Sequence, residues 1–306
     1  MLIGFGIIAL VIVVGYVVGR IGIGGPSAPF VLNRIAFFVT NPALLFTVLA
    51  KADLHEVFSS SVVIAGVAAL VTAGLYVLAS RLFFRRPAPE TTIGALGAGY
   101  VNANNIGLPV AVYVLGNASF VAPVLLLQLI VFAPIALIVL DVTSHGRVSI
   151  RSILLQPVRN PMILASLAGL LLDVLTDAYG WHVPDAVFQP FDLLGGAAVP
   201  LVLLAFGMSL RGARPLRAAQ ERVPIIVASA GKVVFMPLVA WAVAVLLGLH
   251  GHALFAAVAL GALPTAQNVY NFASRYQRGE PTARDIVLLT TLAAIPALLV
   301  IAWLLA

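Results

Sequence analysis

Residues 93–115 read IGALGAGYVNANNIGLPVAVYVL, and residues 253–273 read ALFAAVALGALPTAQNVYNFA. Each stretch is long and apolar enough to cross a ~30 Å hydrocarbon core as a helix, yet each carries at its middle what such a helix tolerates least. The first holds Asn102, Asn104 and Asn105, then Gly107 and Pro109; the second holds Gly261 and Pro264, then Gln267 and Asn268. Proline inside a helix removes a hydrogen bond and clashes with the preceding turn. Amides at that depth need protein or water partners, because hydrocarbon offers none. Two interrupted, amide-rich spans at corresponding places in two halves of a chain point to a transport site. The blander alternative, that Asn and Pro only kink these helices and bond across an interface, stays open at this level.

The rest of the chain sets the class. Of 306 residues, 17 are Lys or Arg and 11 are Asp or Glu, so 9% are charged, against a hydrophobic share of 62%. Soluble domains carry ~25% charge, and a mean hydropathy of +1.11 is more apolar surface than a water-soluble fold of this length hides. That excludes a soluble enzyme, a nucleic-acid-binding protein and a disordered chain. With no Cys, disulfides and thiolate chemistry are excluded too. No cofactor or metal site is expected; His250-x-His252 is too sparse for one, and His55 and His182 stand alone. The sequon at Asn117 falls in a tight turn and is discounted.

Ten apolar segments are expected to span, at residues 2–19, 35–50, 60–80, 93–115, 120–140, 161–172, 193–210, 223–249, 253–273 and 286–306. Residues 161–172 are the shortest. Charge placement decides their case. With the N-terminus outside and all ten spanning, the inner loops hold Arg20, Arg34, Arg81, Arg85, Arg86, Arg147, Arg151, Arg159, Arg211, Arg214, Arg217, Arg222, Arg275, Arg278 and Arg284, which is 15 of the 17 basic residues. Removing the sixth span would split the basic residues 8 and 8, against the positive-inside rule. The expectation is a multi-pass protein of the cell (inner) membrane with both termini outside. Asp173, Asp177, Asp185 and Asp192 are read as a solvated outer loop.

Ten spans invite a search for inverted halves of five. Residues 124–134 (VLLLQLIVFAP) and 286–296 (IVLLTTLAAIP) match at an offset of 162, with Gln128 opposite Thr290 and Pro134 opposite Pro296. Pro42 lies opposite Pro200 at an offset of 158, and Gly97-Ala98 lies opposite Gly261-Ala262. The halves are residues 1–140 and 159–306, joined by a short cytoplasmic connector at 141–158. A broken helix exposes N–H groups and a partial positive charge where its second half begins. Two such ends at mid-membrane suit a carboxylate, with Asn102, Asn104, Asn105, Gln267 and Asn268 as orienting donors.

Lys232 is the one charge well inside a span, ~14 Å past Val223 at 1.5 Å per residue. Deep lysines are functional or paired, and no carboxylate lies at comparable depth. It is read as a neutral lysine, as a fixed cation in place of a coupling ion, or as a structural donor to helix-end carbonyls. The lack of buried Asp or Glu argues against a carboxylate proton relay; sodium bound by carbonyls and amides stays open.

The stretch Leu32–Phe46 (LNRIAFFVTNPALLF) resembles the second span of the auxin efflux carrier family. Asn102-x4-Gly107-x-Pro109 resembles that family's fourth-span crossover signature. Residues 195–210 (GGAAVPLVLLAFGMSL), Lys232–Leu238 (KVVFMPL) and Pro264–Asn268 (PTAQN) resemble its seventh, eighth and ninth spans. The resemblance implies an all-α integral membrane protein of ten transmembrane helices in two inverted five-helix repeats, with broken, crossing fourth and ninth helices and scaffold and transport domains. It also implies substrates among indole-acetic acid and small dicarboxylates such as malate or malonate, and homodimers, as in the plant PIN branch. Unlike that branch, this chain has a short central loop.

The resulting expectation is a secondary transporter of a small organic anion in the lipid bilayer, working by alternating access, with a proton or sodium as candidate coupling ion. Asn102, Asn104, Asn105, Gln267, Asn268 and Lys232 would bind the anion, while Gly107, Pro109 and Pro264 would form the helix breaks. The rival readings are a passive channel, which would need a continuous polar lining, and an anion-binding sensor on the same scaffold. An enzyme is not expected: HExxH, GxSxG and paired intramembrane Asp are all missing.

Overall fold

The computed structural model describes residues 2–51, 60–145, 160–180, 183–210, 216 and 219–305. His55, His182, Arg147, Arg151, Arg159, Arg211, Arg214, Arg217 and connector residues 146–158 lie outside them. The described residues are almost entirely helical, with no strand beyond one isolated bridge. Eight continuous helices are long and apolar enough to cross a membrane. We label these α1 (Ile3–Ile21), α2 (Ala28–Leu49), α3 (Ser60–Phe84), α6 (Ala118–Ser144), α7 (Pro161–Tyr179), α8 (Asp185–Ser209), α9 (Arg222–Leu246) and α12 (Glu280–Leu305). Between them lie two interrupted pairs: α4 (Ala88–Gly99) with α5 (Leu108–Tyr113), and α10 (Gly251–Gly261) with α11 (Gln267–Tyr276). Large apolar side chains face outward, among them Leu246 at 84% and Trp303 at 83% exposure, as lipid rather than water requires.

Two expectations are corrected here. The stretch read as 161–172 is one unbroken helix to Tyr179, closed by Gly180 at φ +61. Asp173 and Asp177 lie on α7, and Asp185 and Asp192 on α8, so these carboxylates belong to helix ends and not to a loop. Acidic residues are compatible with a helix wherever they emerge from the apolar layer.

Five helical turns are widened so that an N–H bonds the carbonyl five residues back: Ala36–Thr40, Ser80–Phe84, Ala103–Gly107, Gln128–Phe132 and Gly231–Phe235. Four of them end two residues before a proline, at Pro42, Pro109, Pro134 and Pro237. The cause is local. Proline has no N–H to give and its ring crowds the carbonyl one turn back, and a wide turn shifts that carbonyl away.

The chain separates into two compact units. One comprises Met1–Ser59, Asn104–Leu126 and Leu154–Ala213; the other comprises Ser60–Ala103, Leu127–Ile153 and Arg214–Ala306. Each unit therefore draws on both sequence halves, and the halves are not themselves the compact bodies. In the first unit, glycines let helix backbones touch, the means by which helices associate where lipid removes the hydrophobic drive. On α1, a Cβ at Gly15 would lie 2.9 Å from the Cα of Leu204 and 3.1 Å from that of Gly207 on α8. On α7, a Cβ at Gly169 would lie 2.6 Å from the Phe46 carbonyl oxygen of α2. Phe46 and Leu204 are 158 residues apart, the offset of Pro42 and Pro200.

In the second unit α3 packs on α4, with Gly99 against the Ala69 carbonyl oxygen at 2.7 Å from its would-be Cβ, and α9 packs on α10, with Gly261 against Ala240. At one end of this unit Arg86 forks onto the Glu221 carboxylate, with Nη1 to Oε2 at 2.6 Å, and Thr282 donates to the same carboxylate. Burial by itself would raise the Glu221 carboxyl, but the Arg86 hydrogen bonds, the Thr282 hydroxyl and the guanidinium charge outweigh it and hold it below its ordinary value.

Two outcomes are expected. Gly207→Val should destabilise the protein by about 1–3 kcal/mol, whereas Gly74→Ala, with nothing within 4 Å of the new methyl, should change stability by about 1 kcal/mol or less; thermal unfolding in detergent compares them. Because the folded-state value of Glu221 is depressed, its contribution is whole at neutral pH and is lost as pH falls through that value. Glu221→Gln should lower the neutral-pH melting temperature, and its gap to wild type should begin to close only as pH falls below the ordinary Glu value of about 4.3.

Candidate functional site

Helix α4 ends at Gly99 and the chain runs extended through Tyr100–Asn102, while α10 ends at Gly261 and, after a turn at Ala262, the chain is non-helical to Ala266. The two extended segments lie antiparallel, with Val101 opposite Thr265. The Asn102 N–H donates to the Pro264 carbonyl at 2.7 Å and the Ala266 N–H to the Tyr100 carbonyl at 3.0 Å. Pro264, lacking an N–H, occupies a position that only has to accept. Leu263 before it is outside the helix, as the residue ahead of a proline prefers.

The remaining backbone groups of the break are taken up by side chains. Gln128 Nε2 on α6 donates to the Val101 carbonyl at 3.0 Å, and the Thr265 N–H donates to Thr290 Oγ1 on α12 at 3.0 Å. Gln128 and Thr290 are the residues matched across the repeat at an offset of 162, and they meet Val101 and Thr265, which are 164 apart. The Thr265 hydroxyl in turn donates to the Gly97 carbonyl at 2.6 Å. Thr265, Tyr100 and Val101 are all buried.

Lys232 sits in the wide turn Gly231–Phe235 of α9 and is fully buried. Its Nζ donates to the Gly261 carbonyl at 3.1 Å and lies 2.8 Å from the Met236 sulfur. Gly261 carries the last carbonyl of α10. Those of Val258, Ala259 and Leu260 already accept from Ala262 and Leu263, so Lys232 completes the capping of a buried helix end. Gly97, the counterpart of Gly261 at an offset of 164, is capped by a neutral hydroxyl instead. Capping alone therefore does not call for a charge. Among the described residues no carboxylate lies within 4.0 Å of the ammonium.

The expected site residues are placed as follows. Asn102 is buried beside the bridge, and Gln267 and Asn268 open α11, whose start has no side-chain cap; Asn268 bonds the Tyr100 hydroxyl. These residues, with Lys232 and Pro264, belong to the second unit. Asn104, Asn105, Gly107 and Pro109 belong to the first. There, Asn41 Nδ2 donates to Asn104 Oδ1 at 2.7 Å, and Asn104 Nδ2 donates to Asn105 Oδ1 at 2.8 Å.

Pro109, expected to form the fourth-helix break, does not. The break falls earlier, at Tyr100–Asn102 after Gly97 and Gly99, and the helix has already resumed in the wide turn Ala103–Gly107 when it reaches Pro109. Gly107 has an ordinary helical φ of −65. The residues overlooked are Asn41, Gln128, Thr265 and Thr290. A usable signal existed: Asn41, Asn104, Gln128 and Lys232 each precede an intrahelical proline by one to six residues, within or beside a wide turn.

If Thr290 holds the break by accepting from Thr265, Thr290→Val should cost about 1–2 kcal/mol by orphaning a buried N–H, while Thr290→Ser should stay within about 0.5 kcal/mol of wild type. Thermal unfolding of the purified protein measures both.

Comparison with known proteins bears on what this arrangement serves. The chain matches the family described as "Membrane transport protein" over residues 6–145 and 144–302. It is 26% identical over 300 residues to a Rhizobium meliloti protein described as "Putative malonate transporter", covering 95% of this chain and 90% of that one. It is also 26% identical over 209 residues to an "Uncharacterized transporter" of Methanothermobacter thermautotrophicus, covering 66% of each chain. The family is one of transporters and not of enzymes. With its apolar helices and a family match over nearly its whole length, this chain belongs to the auxin efflux carrier-type membrane transport protein family.

Proposed function

We propose that the protein is a secondary carrier of a small organic anion, a carboxylate, working by alternating access. The observation that carries this reading is Lys232. It is a fully buried amine with no carboxylate in reach among the described residues, bonded to the helix end at the break, where the equivalent carbonyl of the other half makes do with a hydroxyl. Protonated with the anion in place, it and the uncapped start of α11 give that anion two favourable partners in one unit. Within the second unit the anion-binding set is Asn102, Gln267 and Asn268 with Lys232.

The architecture we attach to this function has ten spans in two inverted repeats, residues 1–140 and 159–306 about a connector at 141–158. Both termini face outward, and the chain works as a homodimer. Its support is the recurrence of one relation at several places: α1 meets Leu204 where α7 meets Phe46, and Gln128 and Thr290 each serve one strand of the same bridge. The description of the Rhizobium meliloti relative favours a short dicarboxylate.

Reconstituted protein should show saturable counterflow of radiolabelled malonate or a related dicarboxylate. Asn102→Ala and Gln267→Ala should each lower that flux, and Lys232→Met should weaken apparent affinity by about 10- to 100-fold through loss of a charge-assisted bond. Unchanged flux in all three would remove the site assignment. Unsaturable flux would indicate a channel, and ligand-induced stabilisation with no flux a sensor. Imposed proton and sodium gradients identify the coupling ion.

A further inference from the structure

On α2 the exposed Arg34 side chain lies between two phenyl rings of its own helix. Its guanidinium carbon is 5.6 Å from the centroid of Phe30, one turn before it, and 5.5 Å from that of Phe38, one turn after. Rings on both sides hold the guanidinium plane by cation–π contact. The surrounding face is apolar and open: Phe30, Val31, Ile35, Phe38 and Val39 are all exposed. Among the described residues no carboxylate lies within 4.0 Å of Arg34.

The other half of the chain shows the same arrangement closed. At the offset of 158, Phe30 corresponds to Phe188 and Arg34 to Asp192. Asp192 is paired with Lys51 at 3.5 Å, and the Lys51 ammonium stands 4.6 Å from the centre of the Phe188 ring. There the protein supplies both ions. The position at the same offset from Lys51 is Ser209, which carries no charge. Arg34 thus has the ring of its counterpart but the opposite charge, and no counter-ion among the described residues.

We propose that Arg34, with Phe30 and Phe38, is a binding site for the phosphate of a membrane phospholipid. Arg34 lies six residues past Ala28, the start of the span, which is about 9 Å along the axis. That depth is within reach of the headgroup region for a long side chain. The planar fork of five donors matches a phosphodiester, and the exposed Val31, Ile35 and Val39 flank it with surface that only acyl chains would cover. A free phosphate ion would leave that surface in water. The site is independent of the transport reading, since it needs only that α2 faces lipid.

The test uses the full-length protein, delipidated in a non-ionic detergent, with phosphatidylglycerol as the probe, read by melting temperature and by native mass spectrometry. Phosphatidylglycerol should raise the melting temperature and add bound lipid, while inorganic phosphate at the same concentration should do neither. Arg34→Gln should lose more than half of the lipid-induced shift. Phe38→Leu, which keeps the charge and an apolar side chain, should lose part of it and serves as the readout if Arg34→Gln does not fold. A full shift retained in Arg34→Gln, or in Phe38→Leu where that is the readout, would overturn the site. An equal response to inorganic phosphate would overturn its lipid character. Because the chain has no cysteine, Phe30→Cys reports cleanly on a second copy: efficient disulfide cross-linking between copies in the membrane would show protein covering this face and would also overturn the proposal.

Discussion

A backbone that leaves the helical path inside hydrocarbon must have every N–H and C=O satisfied by protein, since lipid offers no partner. The structure of the second unit follows from that constraint. Neither break could stand by itself. The strand after α4 takes its partner from the strand after α10, through Asn102 to Pro264 and Ala266 to Tyr100. What the strands cannot satisfy between themselves, Gln128, Thr265 and Thr290 complete from neighbouring elements. A pair of breaks that satisfy one another can persist at a depth where a single break would cost several kcal/mol per orphaned group.

The same economy explains why polar side chains gather where they do. Wide turns before Pro42, Pro109, Pro134 and Pro237 loosen helical bonding locally, and Asn41, Asn104, Gln128 and Lys232 lie in or beside those turns. The proline thus does two things at once: it disturbs the hydrogen-bond ladder, and it marks the place where a polar side chain bonds another polar group, backbone for Gln128 and Lys232 and side chain for Asn41 and Asn104. Lys232 goes furthest, since it brings a buried amine to a carbonyl whose counterpart is served by a hydroxyl.

Glycine has the complementary role in the first unit. At Gly15, Gly169 and Gly207 the missing Cβ lets carbonyls and Cα atoms of neighbouring helices come within contact distance. Packing this close is dispersion and weak polar contact, not hydrophobic drive, and it is why small residues matter more here than large ones. The sequence units and the compact units differ for the same reason: helices pair across the halves wherever glycine surfaces match, and chain order does not constrain them.

Much of this was legible from the amino acids. The membrane class followed from composition, because hydrocarbon solvation acts residue by residue. So did the two interrupted helices, because Gly and Pro act on the backbone within a turn of themselves. The position of the fourth break was misjudged, since the chain leaves the helix after Gly99 and a wide turn carries the resumed helix past Pro109. The end of α7 was misjudged because aspartates were read as loop. What only the tertiary structure decided is which group meets which: Thr265 and Gly97 are 168 residues apart, Asn41 and Asn104 63, Lys232 and Gly261 29. Local propensity has no say over such distances. They are set when helices dock, and docking is constrained by the need of buried backbone N–H and C=O groups for partners.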